Sequence, residues 1–126
     1  MRAIRALFRR HGAECTPEGR SLRLLRAWLS PAQQARFAEK GYFEVIGGDT
    51  GKQYRIYPGA GMNVLEVDEK GRPRLGLCFM PEGELPIGDV LLSQKIALES
   101  HESSALAVAI PFVPNAFSFR RSRLLG

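Results

Sequence analysis

The sequence predicts an α+β fold: a four-stranded antiparallel β-meander packed against a long C-terminal helix, with short N-terminal helices. Three observations predict it. The apolar period changes to two at Tyr42, four short strand-like runs then alternate with Gly/Pro turns, and the period returns to 3.6 after Asp89. At 126 residues and 44% hydrophobic, the chain is long enough to bury a core in one domain without metal or disulfide support.

From the N-terminus, Ile4, Leu7 and Phe8 fall at helical spacing among arginines, so a short amphipathic helix is expected before His11 and Gly12. Residues 13–19, with Pro17 and Gly19, read as a linker. Leu22, Leu24, Leu25, Trp28 and Leu29 then mark a second basic helical segment. This divides the chain into a basic segment over 1–20, a compact domain over 21–110 and a basic tail over 111–126. The strongest local signal is Ser30-Pro31-Ala32-Gln33, a capping box with proline where no N–H is needed; it predicts a helix over 31–40 that Gly41 ends in the left-handed region.

Strands are expected near 42–46, 53–57, 62–67 and 74–80. The turns between them are Gly47-Gly48-Asp49-Thr50-Gly51-Lys52, Pro58-Gly59-Ala60-Gly61 and Asp68-Glu69-Lys70-Gly71-Arg72-Pro73. Connections this short pair sequential strands antiparallel. After a loop over 81–86, Asp89 can cap a helix over 90–109. Leu91, Leu98 and Ala105 recur every seven residues along it, flanked by Leu92, Ile96 and Leu106, so one stripe is apolar while Glu99 and Glu102 lie off it. Pro111 and Pro114 stop this helix, and the tail beyond is expected to be extended.

The net charge of +5 is concentrated at the ends. Residues 1–30 hold seven arginines (2, 5, 9, 10, 20, 23 and 26) against Glu14 and Glu18, and Arg120, Arg121 and Arg123 close the chain, while the body is mildly acidic. Cys15 and Cys78 provide neither a disulfide framework nor a four-ligand zinc site, which fits a reducing cytoplasm. No apolar run approaches the roughly 20 residues needed to span a bilayer. The N-terminus lacks a signal-peptide core, and an Arg-rich transit peptide is the weaker reading of it.

Four constellations bear on chemistry. Gly47-Gly48-Asp49-Thr50-Gly51-Lys52 has the composition of a phosphate-binding loop but the wrong order, since Thr50 precedes Gly51 and a strand follows. It reads instead as a hairpin turn whose Asp and Gly take positive φ. Cys78 and His101 could be nucleophile and base, but Cys78 lies among Leu75, Leu77 and Phe79 as a buried, inert filler, and His101 lies on a solvated helix side. His11, His101 and the cysteines have no zinc spacing, and Asp68-Glu69 lacks the oxygens of a calcium loop. Arg55 between Tyr54 and Tyr57 has the composition of a single-strand nucleic-acid platform. Alternation puts Arg55 and Tyr57 on the face opposite Tyr54 and Ile56, so a solvated strand face is expected.

Gly48-Asp49-Thr50-Gly51, Tyr54-Arg55-Ile56, Asn63-Val64, Cys78-Phe79-Met80-Pro81, and Gly88-Asp89 leading into Leu92-Ser93-Gln94-Lys95 together span over half the chain. With these motifs the segment 41–109 resembles a family of small bacterial and phage-borne domains of unknown function. The resemblance implies a shared fold and no particular reaction. The order of hairpins then helix is also remotely similar to the zinc-binding SWIM module; its Cys and His ligands are missing here, so neither metal nor DNA binding carries over.

The functional expectation is a non-catalytic interaction module that contacts an anionic or protein partner through Arg2, Arg5, Arg9, Arg10, Arg55, Arg120, Arg121 and Arg123. No catalytic residue, cofactor or metal is assigned. A nucleic-acid-binding accessory protein is the first alternative, and a small enzyme using the 41–51 loop region the second. Weak contact of the first helix with anionic membrane surfaces is a further option.

Overall fold

The computed structural model describes residues 16–59, 61–80 and 83–114. In chain order the elements are α1 (Pro17–Trp28), α2 (Pro31–Lys40), β1 (Phe43–Ile46), β2 (Gln53–Ile56), β3 (Val64–Val67), β4 (Pro73–Cys78), α3 (Ile87–Ser100), α4 (Glu102–Val108) and β5 (Ile110–Phe112). The strands form one antiparallel sheet in sequence order. The meander is therefore present and has five strands rather than four. The fifth escaped prediction because it is three residues long and holds Pro111, which pairs opposite Leu77 and is tolerated there because the strand lies at the sheet edge.

The helical starts follow their caps. Thr16 Oγ1 accepts from Gly19 N–H at 3.0 Å and Pro17 takes the first helical position, so the residues expected as linker at 17–19 are the first turn of α1. The expected capping box forms in α2. Gln33 N–H donates to Ser30 Oγ at 3.2 Å, Ser30 N–H donates to Gln33 Oε1 at 2.9 Å, and Gly41 closes the helix at φ 82°. Gln33 Nε2 also reaches the β1 carbonyl of Glu44 at 2.8 Å and Glu99 Oε2 of α3 at 3.2 Å, joining three elements.

Asp89 does not cap α3, which begins at Ile87. Its free N–H groups are satisfied from another helix: Ile87 N–H donates to Glu18 Oε2 at 3.0 Å and Gly88 N–H to Ser21 Oγ at 2.9 Å. Glu18 also places a negative charge at the positive end of the α3 dipole. This contact needs a close approach, for a Cβ on Gly88 would run into the backbone carbonyl of Ser21. The single helix expected over 90–109 is broken at His101 (φ −142°, ψ 46°), where α4 begins.

Leu22 and Leu25 of α1, Leu29 just past its end, and Leu91, Leu92 and Leu98 of α3 bury against Phe43, Val45, Tyr54, Ile56, Val64 and Leu77 of the sheet. Phe37 of α2 meets Phe43 edge-on with centroids 5.7 Å apart. The seven-residue stripe is realised, since Leu91, Leu98 and Ala105 are all buried despite the break. A buried amide pair locks the helical layer to β3: Asn63 Nδ2 donates to Gln94 Oε1 at 2.8 Å and Gln94 Nε2 to Asn63 Oδ1 at 3.0 Å. The opposite sheet face was expected to be solvated. It instead holds a second cluster of Tyr57, Leu65 and Val67 with Tyr42 and Phe112, because Gly76 opposite Leu65 leaves room for the Phe112 ring.

Gly88→Ala should destabilise the fold by about 1–3 kcal/mol through overpacking at the α1–α3 crossing. Urea denaturation followed by circular dichroism checks this; an unchanged midpoint would show that the two helices separate freely.

Candidate functional site

The densest polar constellation is built by the turn between β1 and β2 and the first turn of α4. Glu102 is fully buried, at 0% exposure, and each carboxylate oxygen accepts two hydrogen bonds. Oε1 accepts from Asp49 N–H at 2.9 Å and Thr50 N–H at 2.8 Å; Oε2 accepts from the Thr50 hydroxyl and the Tyr54 hydroxyl, both at 2.6 Å. Asp49 returns the contact, its Oδ2 accepting from Ser103 N–H at 3.0 Å and from the Ser103 hydroxyl at 2.8 Å. Loop and helix thus satisfy each other's N–H groups.

The glycines of this turn serve two purposes. A Cβ on Gly47 would fall on the Glu102 carboxylate and one on Gly48 on the Glu99 carbonyl, so both are needed for space. Gly51, at φ 75°, is needed for its backbone, whereas Asp49 does not take the expected positive φ; no non-glycine residue among those described does. The likeness to a phosphate-binding loop has a physical basis after all, in that consecutive amides converge on an anion. Here that anion is the chain's own Glu102.

The electrostatics follow. Burial pushes the Glu102 carboxyl up, but hydrogen bonds from the Thr50 and Tyr54 hydroxyls and from the Thr50 and Asp49 amides outweigh it, bringing the group from its ordinary 4.5 down to about 2. Tyr54 moves the other way. Its burial, its bond to Glu102 and the charges of Glu102 and Glu66 raise it well above the ordinary tyrosine value. A neutral phenol donating to a fixed carboxylate describes a closed anchor.

Sequence reasoning placed Glu102 off the apolar stripe, on the solvated side. Its position was the better signal: it lies four residues after Leu98 and three before Ala105, on the apolar stripe.

Of the predicted binding arginines, Arg55 lies among the described residues. Arg55 lies on the outer sheet face, its side chain 16% exposed, with Nε and Nη2 at 3.2 and 3.1 Å from Glu44 Oε2 and its guanidinium 4.7 Å from the Tyr42 ring centroid. Burial opposes its charge, and contacts with Tyr57, Tyr42 and Glu44 more than restore it. Arg2, Arg5, Arg9, Arg10, Arg120, Arg121 and Arg123 lie outside the described residues. Cys78 is half-buried rather than enclosed, with Sγ 3.8 Å from Met80 Sδ, and no hydrogen bond among those described joins it to His101. Among the described residues no group of three or more His, Cys, Asp or Glu could hold a metal ion. No described helix is long and apolar enough to cross a membrane.

Two described surfaces carry several cations. One is a groove of ≈390 Å³ whose lining includes Lys52, Lys70, Arg72 and Arg74 along with Glu66, Asp68 and Glu69. Glu66, with its side chain 10% exposed, sits between Lys52 at 3.6 Å and Arg74 at 3.8 Å. The other is the solvent side of α1, on which Leu24 is 47% and Trp28 59% exposed and Arg20, Arg23 and Arg26 are exposed as well. Comparison with protein-family models, curated proteins and solved structures finds no match to this chain.

Glu102→Gln should cost about 2–4 kcal/mol at neutral pH, because an amide cannot accept at all four donors. The depressed carboxyl contributes stability that is complete above about pH 4.5 and is lost as pH falls from there towards 2. Denaturation series across that window should slope for the parent and be flatter for the variant; parallel curves would remove Glu102 as the anchor. Cys78 should react with a thiol reagent in the native state, as read by mass spectrometry on a Cys15→Ser variant; labelling only after unfolding would restore the buried reading.

Proposed function

We propose that this chain is a non-catalytic interaction module that holds an anionic partner through its basic helical layer. The observation that carries this reading is α1, on which Leu24 and Trp28 stand in solvent and Arg20, Arg23 and Arg26 are also exposed. Residues 16–41 hold five cations, Arg20, Arg23, Arg26, Arg36 and Lys40, against Glu18 and Glu39, and Glu18 is engaged at the α3 N-terminus. Large exposed apolar groups rimmed by one sign of charge mark interaction surfaces. The Glu102 cluster supports the non-catalytic half, since a carboxylate with four donors and no exposure is positioned to hold a loop. The terminal arginines 2, 5, 9, 10, 120, 121 and 123 extend the basic region in sequence.

A nucleic-acid accessory role is the second reading, favoured by the four cations that line the groove at the β3–β4 turn. Three acids share that groove, which weakens it as a phosphate track.

Titrating the intact chain with mixed-sequence RNA, polyglutamate and anionic lipid vesicles at graded salt tests the module. At least one probe should bind near physiological salt, and neutralising Arg20, Arg23 and Arg26 together should weaken it at least tenfold. RNA affinity should fall with a log–log salt slope of roughly −0.7 to −0.9 per neutralised phosphate if the groove is the site, and Lys70, Arg72 and Arg74 should then control it. Silence from all three probes would end the reading.

A further inference from the structure

We propose that the groove between the β1–β2 and β3–β4 turns binds a small sugar phosphate, with its hydroxyls donating to Glu66 and its phosphate held by Lys52, Lys70 and Arg74. This site lies at the end of the sheet and stands independently of the basic helical layer.

Glu66 of β3 pairs with Tyr54 of β2 on one side and Leu75 of β4 on the other, and its side chain is 10% exposed. A carboxylate this enclosed is ordinarily held by hydrogen bonds, as Glu102 is by four donors. Glu66 accepts none from a described residue. Its Oε1 lies 3.6 Å from Lys52 Nζ and its Oε2 3.8 Å from Arg74 Nε, which are charge contacts beyond bonding distance. The sheet register brings Arg74 to this place. Glu66 pairs with Leu75 and Val67 with Pro73, so Arg74 is an extra residue in β4 and turns towards the carboxylate, as bulged residues do beside binding sites. Glu66 thus lines the ≈390 Å³ groove with its lone pairs unclaimed by the protein, between two cations.

The lining selects the chemistry of the ligand. An ammonium group at Glu66 would meet Lys52 and Arg74 on either side, so the donors that fit there are neutral hydroxyls. Adjacent hydroxyls of a sugar present two O–H groups to one carboxylate, a pairing that acidic side chains make with ribose. Asp68 is engaged inside its own turn, accepting from the Lys70 and Arg72 amides and from Arg72 Nε. Apart from that pair, Lys52, Lys70 and Arg74 line the groove with Glu66 and Glu69, and the Lys70 ammonium has no partner among the described residues. These three cations come from the β1–β2 turn, the β3–β4 turn and β4, and suit a phosphate, which offers oxygens in several directions. A polynucleotide fits less well, because Glu66 and Glu69 would face its successive phosphates. The volume of the groove is that of a small-molecule site.

The isotope-labelled full chain is titrated with ribose 5-phosphate, ribose and inorganic phosphate, and the amide resonances of Gly51, Lys52, Lys70 and Arg72 are followed by heteronuclear NMR. Ribose 5-phosphate should shift these amides saturably, and ribose and inorganic phosphate should each bind about ten-fold more weakly, since each makes only part of the contact. Glu66→Gln keeps the shape of the side chain and forfeits no hydrogen bond among those described, so the variant should fold. It should abolish the preference for ribose 5-phosphate over inorganic phosphate, because the charge-assisted bonds to the hydroxyls are lost. Lys70→Gln changes an exposed side chain; it should weaken both phosphate ligands about five-fold and leave the urea midpoint in place. Amides unmoved by about 10 mM ribose 5-phosphate would overturn the site, as would equal affinity for inorganic phosphate or a preference that survives Glu66→Gln. Single-stranded RNA that binds here more tightly than ribose 5-phosphate would also overturn it, since the groove would then be a polynucleotide track.

Discussion

The structure depends on one buried carboxylate. Glu102 receives two backbone amides, a threonine hydroxyl and a tyrosine hydroxyl, and so joins a loop, an inner strand and a helix at one point. A charge this deep is tolerated only when donors replace its water. Asp49 bonds back to Ser103, so the loop cannot leave without exposing two sets of unsatisfied groups at once.

Several features follow from that anchor. The helical path is interrupted at His101, and the first turn of α4 presents its one charge, Glu102, inwards. Gly47 and Gly48 are confined to glycine because the carboxylate and the α3 backbone occupy the space a Cβ would take. Gly48 N–H donates to Leu98 O at 3.0 Å, which holds the end of α3 against the same turn. The chain then leaves α4 in position for Ile110–Phe112 to extend the sheet, and Phe112 closes over Gly76 on its far face.

The anion-binding capacity of the glycine loop is satisfied internally by Glu102. The α1 helix is held at one end where Glu18 and Ser21 accept from the first N–H groups of α3, and its other side exposes Arg20, Arg23, Leu24, Arg26 and Trp28. Arg55, which the sequence put forward as a contact residue, is drawn into a stacked ion pair with Glu44 and Tyr42 and supports the outer sheet face instead.

How much of this was legible in the sequence depends on the range of the interaction. The α2 capping box, the glycine stop at Gly41, the first four strands and the Leu91, Leu98 and Ala105 stripe are local in origin; each is set by residues within a few positions, and each was readable. Tertiary structure decided the rest. The α3 start depends on Glu18 and Ser21, nearly seventy residues away, and the short β5 exists because β4 offers an edge to pair with. Glu102 was misplaced because a single charge argues for solvent until its four donors, 48 to 53 residues distant, are brought round it. Local patterns determine where helices and strands form, while the pairing of buried polar groups depends on which distant segments the folded chain makes neighbours.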